Sequence, residues 1–134
     1  MAITVTEVQV LWAAASSKSV AAGAQELSDA FVINEACFQA TIELKADDDA
    51  APGAGDTVDF YLNATLGDPD GAGASEYGTT TQDIHLATLD TNADDPAICT
   101  VQLPMPLVGG KIYADNKSAT DAITVSACIL EQRG

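Results

Sequence analysis

The sequence predicts a single all-β domain, a jelly-roll-like β-sandwich of about eight short antiparallel strands. Apolar residues recur at every second position over much of the chain, the spacing of a half-buried strand. Turn residues (Asp, Gly, Pro) separate these stretches. No segment keeps a helical period: Ala13 to Ala24 is Ala-rich and could form a helical turn, but its Ser, Val and Gly weaken it. The 134 residues suit one domain, 1–134, with 1–12 as an N-terminal contact strand or arm.

The strands follow in order. Val8, Val10 and Trp12 alternate with Glu7, Gln9 and Leu11. Lys18 to Val20 is a short extended piece closed by Ala22-Gly23. From Glu26 to Ile33, Leu27, Phe31 and Ile33 take the apolar positions. Cys37 to Lys45 sets Phe38, Ala40, Ile42 and Leu44 against Gln39, Thr41, Glu43 and Lys45. After the turn Asp47 to Gly55, Val58, Phe60 and Leu62 oppose Asp59, Tyr61 and Asn63. Gly67 to Thr81 has no apolar period and reads as a long surface loop, a length uncommon without a functional role. Ile84 and Leu86 mark the next strand, and Cys99, Val101 and Leu103 the one after the acidic turn Asp90 to Asp95. Pro104 and Pro106 end that strand. Gly109-Gly110 reads as a turn and Lys111 to Ala114 as a short strand. In the last strand Ile123, Val125, Ala127 and Ile129 alternate with Thr124, Ser126, Cys128 and Leu130.

Charge excludes several functions. Five basic residues, scattered along the chain, face twenty acidic ones, for a net charge of -15. Binding nucleic acid needs a basic footprint, and anionic membranes attract basic clusters; neither partner is expected. No stretch has the length and apolarity of a membrane-spanning helix. The N-terminus lacks the basic region of a secretory signal, so synthesis and folding in a cytoplasm are expected. Three cysteines, none close in sequence, give no metal or redox spacing, and they read as small apolar residues.

Catalytic patterns are missing. The single histidine, His85, lies on a strand between Ile84 and Leu86 and should face away from them. There is no nucleophile elbow, phosphate-binding glycine loop or dinucleotide fingerprint, so no enzyme activity and no cofactor are expected. Asp68, Asp70, Gly73 and Glu76 partly echo a calcium loop, which makes Asp68, Asp70 and Glu76 weak calcium candidates. The echo breaks at Ala72, where an oxygen ligand should stand, and at Thr79, where a bidentate Glu should close the loop. Asp47 to Asp49, and Asp90, Asn92, Asp94 and Asp95, could also bind hard cations weakly, but solvated acidic loops are the expectation at all three places. Tyr61, Tyr77 and Tyr113 offer an aromatic platform for sugar or protein.

Leu11 to Ile33, which leads through an Ala/Gly turn into Ser-Asp-Ala-Phe, resembles the opening of small virion proteins of tailed bacteriophages. Pro106 to Leu130 resembles their closing strands. The resemblance implies a capsid decoration (cement) protein on the exterior of the phage head, made in the host cytoplasm and binding the major capsid protein. It further implies a homo-oligomer, a trimer by preference. Contact candidates are Ile3, Val5, Val8, Val10 and Trp12 in the N-terminal strand, Tyr77 in the long loop, and Pro104 and Pro106. The alternative is a tail-fibre or adhesin-type module that recognises a host surface glycan.

Overall fold

A computed structural model describes residues 2–65 and 84–134, and among these ten strands form two five-stranded antiparallel sheets. In the first sheet β10 (Ile123–Arg133) is central. It has β5 (Cys37–Asp48) on one side and β1 (Thr4–Gln9) and β2 (Lys18–Val20) end to end on the other, while β8 (Ala97–Gln102) flanks β5. In the second sheet β9 (Gly109–Asn116) pairs with β3 (Gln25–Leu27) and β4 (Phe31–Val32) on one side and β6 (Thr57–Thr65) on the other, and β7 (Ile84–Asp90) flanks β6. The result is the expected jelly-roll-like sandwich, with ten strands rather than about eight: each of the other stretches followed above forms one strand, and the Glu26 to Ile33 stretch splits in two. Ser28 makes the break: its amide donates to the Ile112 carbonyl and its hydroxyl accepts from the Ile112 amide.

Period-two alternation supplies the core. Val58, Phe60 and Leu62 of β6 and Ile123, Val125 and Ile129 of β10 have no solvent exposure, and they meet Ile42, Leu44 and Ile112 from the facing strands. Burying each such side chain contributes roughly 1.5–3 kcal/mol. The alternation also carries Glu131 inward, where a bare carboxylate would be costly. Arg133 donates to it at 2.9 Å and the Asn34 amide at 2.7 Å.

Several local expectations are corrected. Leu27 and Phe38 are exposed, because Leu27 sits on the outer face of β3 and Phe38 lies by the register shift where β5 meets the end of β10. Gly109-Gly110 lies within β9 and is no turn. A Cβ at Gly109 would collide with the Phe31 carbonyl, so glycine is what lets β4 approach. Ala13 and Ala14 form a two-residue hairpin turn, both at positive φ (49° and 67°), closed by reciprocal Trp12–Ala15 backbone bonds. Cys37, Cys99 and Cys128 are free and half-buried.

Candidate functional site

The N-terminal contact set is split by the pleat. β1 is hydrogen-bonded along β10, so Thr4–Gln9 is a strand of the sheet and no free arm. Ile3 and Val5 are exposed, at 64% and 59%. Val8 packs against the core, and Val10 and Trp12 are buried in it. Successive residues of a strand point to opposite faces, so these five cannot share one contact surface. Val10 and Trp12 are thereby removed as contact residues. Pro104 and Pro106 are exposed. Tyr77, Asp68, Asp70 and Glu76, with the Gly67 to Thr81 loop, lie outside the described residues.

Two constellations remain. The first lies at one end of the sandwich, where β5 finishes and β6 and β10 begin. Asp48, Asp56 and Asp121 bring carboxylate oxygens within 4.8 Å of one another. Such an all-oxygen set is the kind a hard cation takes. Five of its six oxygens are already engaged. Asp48 accepts from the Ala50 amide (3.0 Å) and the Thr91 hydroxyl (3.2 Å). Asp56 accepts from the Ser118 hydroxyl (2.6 Å) and the Gly53 amide (2.7 Å), and Asp121 Oδ1 from the Thr120 hydroxyl (2.9 Å). Asp121 Oδ2 is buried and has no partner among the described residues.

The cluster titrates unevenly. The Ser118 hydroxyl, then the Gly53 amide, hold the Asp56 carboxyl below its ordinary value. At Asp121 the Thr120 hydroxyl pulls down, but burial and the neighbouring Asp56 and Asp48 outweigh it and the pKa rises. Of these three residues the sequence reading singled out only Asp48, as part of an acidic run able to bind a hard cation weakly and expected to be solvated. Nothing in the chain links positions 48, 56 and 121 except the topology that brings three strand ends together.

The second constellation is on the outer face of the second sheet. Register places Tyr113 of β9 beside Tyr61 of β6, and Tyr61 beside His85 of β7. Tyr61 and Tyr113 have ring centroids 6.1 Å apart, tilted by 60°. Tyr61 and His85 meet edge-on at 5.3 Å and 72°. Both tyrosines are half-buried and His85 is exposed, as its alternation with Ile84 and Leu86 predicts. Leu27 extends the row onto β3.

The neighbouring row is polar: Gln25, Asp115 and Asp59, with Thr88 beyond. Lys117 lies 2.7 Å from Asp115, whose hydrogen bond and charge push the lysine pKa up, and Gln25 donates to the same carboxylate at 3.2 Å. The Thr88 hydroxyl donates to Asp59 and accepts from His85 Nε2 at 3.1 Å. The rings thus stand on a fixed polar border. Three rings side by side, inclined to one another rather than coplanar, offer apolar contact with hydrogen-bonding edges. Asn63-Ala64-Thr65 and Asn116-Lys117-Ser118 have the Asn-X-Ser/Thr pattern of glycosylation acceptors but mark no site, because Asn63 and Asn116 are buried, at 3% and 1% exposure.

No family model and no curated protein matches the chain. Its fold is similar to that of the C-terminal family 6 carbohydrate-binding module of LamC, a marine laminarinase from Zobellia galactanivorans (TM-score 0.53, 5% identity, 94% of this chain and 99% of that one). A family 36 carbohydrate-binding module in complex with calcium and xylotriose aligns at TM-score 0.47 and 9% identity, over 93% of this chain and 98% of its own. A mutant family 29 carbohydrate-binding module aligns at 0.45 and 10%, over 98% and 94%. At 5% identity the likeness to the LamC module shows the fold alone.

Proposed function

We propose that the chain is a non-catalytic glycan-binding module whose ligand lies across the outer face of the second sheet. The carrying observation is the cross-strand row Tyr113–Tyr61–His85. A pyranose ring has an apolar C–H face that packs on an aromatic side chain and hydroxyls that need directed partners. The row supplies the first requirement, and Lys117, Asp59 and Gln25 on its border supply the second. That a protein of the same fold is a carbohydrate-binding module supports this reading.

The test is calorimetry and affinity electrophoresis against neutral polysaccharides. Tyr61→Ala and Tyr113→Ala should each weaken binding by roughly 30-fold, the scale of a central aromatic anchor. The circular dichroism spectrum should stay unchanged. Full affinity in both variants refutes the assignment.

Capsid decoration is the second reading, and the exposed Ile3, just before edge strand β1, and Val5 within it favour it. An unprotected apolar edge suits strand addition by a neighbouring subunit. It requires many copies per particle and loss of capsid retention in Val5→Lys. It leaves the aromatic row without a role and therefore ranks below glycan binding.

A further inference from the structure

We propose that the first sheet carries a second ligand site, a groove that takes one or two neutral sugar residues on the face opposite the aromatic row. The groove encloses about 270 Å³ and is lined by Val5, Gln39, Thr41, Leu130 and Gln132. Register explains its shape. Val5, Gln132 and Gln39 form one row across β1, β10 and β5, and Leu130 and Thr41 form the next. The trough between the rows runs across three strands, a span of about 10 Å. That is near the small end of ligand clefts, which begin at about 300 Å³.

Four features fix the ligand class. All five lining side chains are uncharged on a chain of net charge -15. The Gln39 and Gln132 carboxamides and the Thr41 hydroxyl are half-buried, and no hydrogen bond among the described residues engages them. Each carboxamide offers a donor and an acceptor side by side, the pattern that matches two adjacent sugar hydroxyls. Val5 and Leu130 supply aliphatic contact for ring C–H groups. Glu7 follows Val5 on the outer face of β1 and stands beside Leu130, so an anionic sugar is repelled at that end.

The experiment is NMR titration of the whole chain, labelled with ¹⁵N, using xylotriose, mannohexaose and an oligogalacturonate as probes. At least one neutral probe should shift the Gln39 and Gln132 side-chain amide resonances, and the oligogalacturonate should not. The shifts should persist in Tyr61→Ala, and in the Gln39→Ala/Gln132→Ala variant the affinity, read from the backbone amides of Thr41 and Leu130, should weaken about thirtyfold, the loss of one hydrogen bond at each carboxamide. Perturbations confined to the Tyr61 face overturn this second site and leave the first intact. So does a titration in which neither neutral probe moves either amide. Preference for the oligogalacturonate overturns the ligand class.

Discussion

The middle of the sandwich and its Asp48–Asp56–Asp121 end are held together by different physics. In the middle, Ile42, Phe60, Ile112 and Ile129 meet across the sheets with no exposure, and area removed from water does the stabilising. At the end, Asn116 and Ser118 are as deeply buried, yet they work through directed bonds. The Asn116 carboxamide donates to the carbonyls of Val20, Ala21 and Asp121, and accepts from the Ser118 amide. Packing tolerates changes of shape by degrees, whereas a directed network fails by leaving groups unpaired. The contrast tells where each kind of substitution does its damage.

Ile129→Ala should be the most costly change. It opens a cavity at the centre of β10 and should lower unfolding free energy by about 3–4 kcal/mol in urea titration. A loss below about 1 kcal/mol would mean that the middle is loosely packed and the contrast is false. Asn116→Ala should cost less, about 2 kcal/mol, chiefly from buried carbonyls left without donors. Asn116→Asp should not rescue it, since a carboxylate cannot donate to those carbonyls.

That difference also decides what the sequence discloses. The middle is legible because β6 and β10 follow a two-residue rule there, and Val58, Phe60, Leu62, Ile123, Val125 and Ile129 all lie where that rule puts them. The aromatic row is half legible. Alternation turns Tyr61 and His85 outward, but their adjacency to each other and to Tyr113 depends on which strands pair. The N-terminal set fails because composition grouped Ile3 and Val5 with Val10 and Trp12, and the pleat then sent them to opposite faces. The acidic end is illegible: its three carboxylates sit at the ends of separate strands, and only a strand order that interleaves the two sheets joins them.

The acidic end gives the third prediction, with a defined sign. The folded-state pKa of Asp121 is raised, so its charge is a burden to the fold at any pH above that value. Asp121→Asn removes the burden and keeps an acceptor for Thr120. With calcium chelated, so that no cation masks the repulsion, the variant should melt above the natural chain at pH 7. As pH falls through the raised pKa the natural chain takes up its proton and the advantage should vanish. Asp56 works in the opposite sense: its lowered pKa favours the fold above the unfolded value, and that contribution is lost in both chains as pH falls through the lowered one. Melting curves between pH 3 and 7 (a range of roughly four decades in proton activity) should therefore converge first and then fall together. An advantage that grows on acidification would reverse the assignment.

The smallest effect belongs to the Ala13–Ala14 turn, which neither packing nor the acidic network touches. A left-handed conformation costs an L-residue roughly 1–2 kcal/mol, and here two alanines adopt it in succession. Asp29 offsets that cost by accepting the Ala13 amide at 3.1 Å and the Ala14 amide at 2.9 Å on its two oxygens. Ala14→Gly relieves the backbone and retains both bonds, but it also frees the unfolded chain, so the net gain should be about 0.5 kcal/mol. Asp29→Ala should turn the same turn into a loss. If Ala14→Gly were instead destabilising by 1 kcal/mol or more (roughly the cost of glycine in regular structure), the positive φ angles would not be a source of strain, and the turn would have to owe its shape to the buried Trp12 beside it.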